Sequence, residues 1–382
     1  MIQIYRNILS LILLLYFLLV FILEEVTNNP ILLLVFYGIF FCGIILNICC
    51  NVSHLWKPLI FIVGAFILGT ISYFVNRNIS ILSYLYLVFG ICISMIFVDR
   101  RIKSDLLIYL LLVNVFLLIF LIYQKGLDKQ LMPDHSNNYV SVYLLMPLCL
   151  YYTRVDLYKE NYHIYPAIIV AVLSILSGGR GGFISSLFIL IALVMCKLFS
   201  GKSFVKKMRV LFILSLIVVI IAIPLISSFI ENNASLDLIN RFNRKGMTSF
   251  GRLNIWEEYL NSCKNNVLYL LFGSNIQNLK WASFFEGNLH NSFLFVHAYT
   301  GLIGLLFILI ASIRAYIYAL RNHKWIYFSV LLALEFRSFT DHVFGANRLT
   351  AIFLAVLLAP DLIKMLSKHN YTKMNLKRIR KN

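Results

Sequence analysis

Leu106–Tyr123 reads LLIYLLLVNVFLLIFLIY, eighteen residues without a charge. At 1.5 Å per residue such a helix is about 27 Å long. A bilayer's hydrocarbon core is about 30 Å thick and takes helices of about 17–25 residues. The apolar residues run continuously instead of alternating, which argues against a strand. The stretch therefore reads as a membrane-spanning helix. Polar punctuation divides the chain into similar runs: Ile8–Leu23, Ile31–Cys50, Pro58–Val75, Ile79–Val98, Leu106–Tyr123, Val140–Tyr152, Ile164–Ser177, Phe183–Phe199, Val210–Ile230, Ser292–Ala319, Trp325–Phe339 and Leu349–Leu366. The expectation is an all-α polytopic membrane protein of about twelve helices.

Composition agrees. Of 382 residues 60% are hydrophobic and only 13% charged, against about 25% charged in soluble domains. A soluble core stops growing at about 250–300 residues, so this much apolar surface needs lipid. The run Ile8–Leu23 follows Arg6, lacks a small-residue cleavage site and is followed by Glu24 and Glu25; it reads as a retained first span. Seven cysteines, with no CxxC spacing, read as small apolar residues and not as a disulfide or metal framework.

The net charge of +18 is explained by topology rather than by nucleic acid. With the N-terminus in the cytoplasm, 22 of the 34 Lys and Arg fall on cytoplasmic segments and 12 outside. Six of those twelve lie in one long outer loop, where the positive-inside rule is weak. Both termini are then cytoplasmic, and the whole chain, residues 1–382, forms one membrane domain. Residues 231–289 form a large outer loop between helices 9 and 10, and residues 367–382 a basic tail suited to anionic lipid.

The outer loop has structure of its own. Trp256, Tyr259, Leu260 and Cys263 follow Arg252 at helical spacing, with Ser249 as a plausible cap, so Arg252 is expected in the first turn of an amphipathic helix. Trp281, Phe284 and Phe285 suggest a second element lying on the membrane.

The candidate chemistry lies at the outer ends of the helices. Ser177-Gly178-Gly179-Arg180-Gly181-Gly182 joins two apolar runs. Its glycines let backbone approach a ligand, and backbone N–H groups beside Arg180 would suit an anion, with Gly179 and Gly181 lining it. Arg252 would add a second guanidinium at a helix N-terminus. Arg241 and Arg244 offer an electrostatic funnel. His290 opens His290-Asn291-Ser292-Phe293-Leu294 where the loop re-enters the membrane, with His297 seven residues on and Gly301 and Gly304 placed for close packing. His290 would serve as a general base or as a donor to phosphate. In the last outer segment Glu335, Arg337, Asp341, His342 and Arg348 crowd together, and an acid there would serve as a base or orient a histidine. Asn137 and Asn138, after Asp134 and His135, suit hydrogen bonds to sugar hydroxyls.

Together these residues resemble the O-antigen polymerase and O-antigen ligase family of bacterial envelope enzymes. The likeness rests on four places in matching order: Asn137-Asn138; the Ser177–Gly182 turn; Gly251-Arg252 followed by Trp256; and His290-Asn291-Ser292-Phe293-Leu294 followed by Gly301 and Gly304. It covers mainly Pro133–Leu309. Where many members have Ser before the Arg of the turn, this chain has Gly178-Gly179.

The resemblance implies a metal-independent glycosyltransferase of the GT-C membrane type, needing no cofactor and sited at the outer face of the bacterial cytoplasmic membrane. Arg180, Arg252 and His290 would be catalytic. Gly179, Gly181, Arg241, Arg244, Trp256, Asn291, Asn137 and His342 would bind substrate. A polymerase of this kind moves a growing glycan from a polyprenyl diphosphate to an incoming lipid-linked repeat unit, building O-antigen, capsule or a related polymer. A ligase moves the finished glycan to another acceptor. A flippase beside a chain-length regulator would be the expected neighbours. A transporter is the reading from another class, but the two halves of the chain do not resemble each other and the polar residues gather at one face.

Overall fold

The computed structural model describes residues 64, 67, 70–75, 94, 97–98, 103–125, 137–177, 179–198, 250–283, 287–345 and 349–379. Ten α-helices follow in the continuous segments: α1 Ser104–Lys125, α2 Asn137–Tyr158, α3 Tyr165–Leu176, α4 Arg180–Leu198, α5 Phe250–Lys264, α6 Val267–Phe272, α7 Lys280–Ser283, α8 Ser292–Arg321, α9 Trp325–Thr340 and α10 Thr350–Ile379. No strand occurs among the described residues. Three of these helices, α1, α4 and α8, are long and apolar enough to cross a membrane. The expected spans Ile8–Leu23, Ile31–Cys50 and Val210–Ile230 lie outside the described residues, as do Arg241, Arg244 and Ser249.

From Leu106 onward, the expected runs that are described are helical, and the helix ends differ from the ends of the runs. Val140–Tyr152 is the middle of a longer helix, because polar Asn137 and the stretch to Tyr158 continue the same turns around Pro147. The glycine turn is shorter than its sequence suggests. Helix α4 already begins at Arg180, so Gly181 and Gly182 are helical. Helix α10 runs on to Ile379, through residues expected as tail.

Contacts align α2, α3, α4, α8 and α9 into a bundle with two distinct ends. At one end the Asp156 carboxylate of α2 accepts the Tyr327 N–H of α9 at 2.8 Å, and Lys324 reaches the Asp156 carbonyl. A negative side chain thus meets the N-terminus of α9 while a cation meets the C-terminus of α2, both favoured by the helix dipoles. At the other end sit the starts of α2, α4 and α8 and the finish of α9. Ser185 of α4 donates to Ala333 O of α9 at 2.9 Å, and Ser292 of α8 donates to Asp341 O at 2.9 Å. Tyr139 of α2 donates to His342 O at 2.6 Å.

Two glycines make this bundle possible. A Cβ on Gly182 would lie 2.2 Å from Ser141 Cβ of α2, so α4 and α2 touch backbone to side chain. Gly301 breaks α8 with φ 67 and ψ −169, a region that glycine enters without steric cost. A Cβ there would lie 2.1 Å from Leu271 O of α6. Gly301→Ala is therefore expected to destabilise the protein by about 1–3 kcal/mol, read as a lower thermal midpoint in detergent, since both its backbone angle and the seat of α6 are lost.

In the segment expected as the outer loop, α5 buries Ile255, Tyr259 and Cys263 against Ile276, Leu279, Leu289, Phe295 and Ala298. Leu260, expected on the same face, is instead 55% exposed. It follows Tyr259 by one residue, about 100° around the helix. The Glu258 carboxylate accepts the N–H groups of Lys280 and Trp281 at 2.8 Å each, pinning α7 to α5.

Candidate active site

The starts of α2, α4 and α8 bring the positive ends of three helix dipoles to one end of the bundle, beside the finish of α9. Arg180 is the first residue of α4. Next to it, a Cβ on Gly181 would lie 3.1 Å from Nη1 of Arg337 and 3.3 Å from the Thr340 hydroxyl. The glycine after Arg180 thus admits a second guanidinium, from the last turn of α9, against the start of α4.

Arg337 is 3% exposed and must be paired. Its Nη2 lies 2.9 Å from Asp341 Oδ2, four residues on. The other carboxylate oxygen accepts the His342 N–H at 2.9 Å and lies 3.7 Å from Nδ1 of His290. Burial pushes the Asp341 carboxyl up, but Arg337, His290 and the His342 N–H outweigh it and hold the group well below the usual carboxylate range. Asp341 is therefore an anion at neutral pH. The sign follows: a carboxylate with a depressed native pKa stabilises the fold above about pH 4, and this contribution fades as pH falls toward the native value. Asp341→Asn is expected to lower the thermal midpoint at pH 7, and the gap to wild type should narrow on acidification.

His290 is placed by the segment before α8. Its backbone is left-handed, φ 47, which costs a non-glycine residue of order 1 kcal/mol or more and marks a ring aimed by its surroundings. Its N–H donates to Asn288 Oδ1 at 2.8 Å. The preceding carbonyl, Leu289 O, accepts from Trp256 Nε1 at 2.8 Å. Just beyond, Asn291 caps α8 by accepting the N–H groups of Phe293 and Leu294 at 2.9 and 3.2 Å. Ser292 Oγ donates to Asp341 O and accepts from Val343 N at 2.7 Å. Loop, α5 and α9 thus converge on one histidine.

Residue by residue, the structure brings Arg180, Gly181, His290, Asn291 and His342 to this end. His342 stacks its ring on Phe295, centroids 3.7 Å apart. Trp256 reaches the site through its bond beside His290. Arg252 lies in the first turn of α5, one turn before Trp256 on the same helix. Gly179 accepts the Phe183 N–H through its carbonyl at 2.9 Å. Asn137 begins α2.

His297 has a different task. Nε2 lies 2.8 Å from the Leu270 carbonyl, which can only accept, so Nε2 carries the proton. Nδ1, 2.6 Å from Tyr259 Oη, accepts from that phenol, whose pKa burial raises well above its ordinary value. Both ring nitrogens are committed, so His297 joins α5, α6 and α8.

Residues 165–309 match the O-antigen ligase family model. The match supports the O-antigen polymerase/ligase family, whose members are glycosyltransferase-like enzymes. No curated protein matches the chain. The O-antigen ligase match contains Arg180, Arg252, Trp256 and His290, and it ends before Arg337 and Asp341. In the sequence those two stand in a polar segment whose acid is expected to act as a base or to orient a histidine, without showing which acid or which histidine. Their spacing of four on a helix was the available signal, and nothing local tied them to a histidine 51 positions from Asp341.

Proposed function

We propose that the chain is a polysaccharide polymerase that transfers a growing glycan from a polyprenyl diphosphate to the hydroxyl of an incoming lipid-linked repeat unit. The observation that carries this reading is the Arg337–Asp341–His290 cluster beside Arg180 at one end of the bundle. An ionised Asp341 near Nδ1 favours the His290 tautomer with its proton on Nδ1, leaving Nε2 basic. His290 is then the general base rather than a donor to phosphate. The 3.7 Å separation exceeds hydrogen-bond length, and such contacts commonly tighten when substrate binds.

In the reaction the acceptor hydroxyl oxygen bonds to the anomeric carbon of the donor glycan. The bond from that carbon to the phosphate oxygen breaks, and the hydroxyl proton passes to His290 Nε2. The polyprenyl diphosphate leaves with the electron pair, and Arg180 and Arg252 with the helix N-termini hold its growing charge. Asp341 orients His290 and stabilises it when protonated; Arg337 keeps Asp341 charged. The chemistry needs no metal. The site end faces outward in the twelve-span topology with both termini in the cytoplasm, as the positive-inside count favours.

The ligase reading is favoured by the description of the matching family. The two part in cells lacking the gene. Loss of a polymerase leaves single repeat units on the final acceptor. Loss of a ligase leaves long polymer on polyprenyl diphosphate. The first outcome is expected.

A further inference from the structure

Helix α6, Val267–Phe272, reads VLYLLF and carries no charge. Four of its six residues point outward: Val267 is 69% exposed, Leu268 54%, Leu270 44% and Leu271 41%. The exposed face of the neighbouring α5 is of another kind, with Glu257, Asn261 and Lys264 among its residues. Helices facing water carry such mixed faces; a wholly apolar exposed face signals an apolar partner.

The C-terminal end of α6 draws its hydrogen bonds from within the protein, and Asn266 caps its start. Asn266 accepts the Leu268 N–H at 2.9 Å. At the other end, Leu270 O receives Nε2–H of His297 at 2.8 Å, Phe272 O receives the Ser72 hydroxyl at 2.6 Å, and Tyr269 O receives the Gly273 N–H at 2.8 Å. A surface helix in water leaves these last carbonyls to solvent. His297 and Ser72 satisfy two of them from side chains, as a helix end outside water requires.

Position points to the same partner. Helix α6 sits on α8 at Gly301. From there the exposed residues of α8 include Ile303, Leu306, Ile310, Ile313, Ile317 and Leu320. Ile303 to Leu320 spans about 26 Å of helix, close to the hydrocarbon thickness of about 30 Å, and the one charge within it, Arg314, is paired with Asp361 at 2.7 Å. Gly301 therefore lies at the boundary of this apolar belt, on the side of His290, and the outer face of α6 continues the belt.

We propose that α6 is a membrane-seated anchor whose outer face lies among the acyl chains at the site-end surface of the bilayer. Through His297 and Tyr259 it is tied to α5, and through Trp256 to Leu289 beside His290. The anchor sets the height of the base above the lipid, where a lipid-linked substrate presents its diphosphate. The seating rests on the membrane reading of the chain and not on glycosyl transfer.

The test uses the full chain in phosphatidylcholine–phosphatidylglycerol vesicles, with an environment-sensitive fluorophore on Leu268→Cys, on Leu271→Cys and, on α5, on Asn261→Cys. Signal from native cysteines is subtracted using the labelled wild type. Lipids brominated on the acyl chain are expected to quench the α6 positions several-fold more than Asn261→Cys, while aqueous iodide does the reverse. Equal iodide quenching at all three positions would overturn the proposal. So would a disulfide between two copies at Leu268→Cys, which places a second chain on this face, or protection from both quenchers, which places another segment of the same chain there. The readout needs no turnover, so it fails or succeeds apart from the enzymatic reading.

Discussion

His290→Gln, at wild-type protein level, is expected to cut glycan extension by about 10²–10⁴-fold, the range for loss of a general base. Glutamine keeps the approximate size and can still hydrogen-bond, but it cannot take the proton of the acceptor hydroxyl. If His290 acted only as a donor to phosphate, glutamine would retain much of the activity, because its amide donates. Asp341→Asn separates the roles further. It leaves the base in place and removes the charge that orients it, so a loss smaller than that of His290→Gln is expected. The loss should fall on turnover rather than on apparent affinity for the lipid-linked substrate. Chain length in membranes, measured on gels at matched expression, reads both. His290→Gln with near wild-type ladders would sink the assignment of the base.

Arg180→Ala is expected to cost about 2.7–4 kcal/mol of transition-state stabilisation, or about 10²–10³ in rate. The reasoning is electrostatic. Arg180 opens α4, so its guanidinium and the helix N-terminus act on the same charge. Arg180→Lys keeps the charge but loses the planar fork that holds two phosphate oxygens at once, and partial recovery only is expected. Full recovery with lysine would mean that a point charge suffices there. The thermal midpoint should move little in either variant, which distinguishes this position from Gly301 and Asp341, whose replacement acts on the fold.

What could be read from the sequence follows from the range of the interactions concerned. Helix α1 lies within two residues of the apolar run that predicts it at each end, because lipid requires an uninterrupted apolar stretch and charge ends it. The placement of Arg252 in the first turn of α5 came from spacing alone. The hidden parts are long-range. Gly181 looks like one more glycine of a flexible turn, yet it is helical and leaves room for Arg337, more than 150 residues away. His297 shares a sequence environment with His290, and only the carbonyl of Leu270 and the phenol of Tyr259 reveal it as a joint between helices. Asp341 ends a helix in a polar segment, and its meaning depends on a loop that returns to it from α5. Periodicity and composition register neighbours along one helix, whereas this site is assembled from the ends of several.

The most direct measurement is turnover by the purified protein in vesicles supplied with a synthetic polyprenyl-diphosphate-linked repeat unit. Lengthened glycan on lipid is expected, together with one polyprenyl diphosphate released per unit joined, both lost with His290→Gln. Passage of the lipid-linked unit across the bilayer with its length unchanged and no diphosphate released would contradict the polymerase reading.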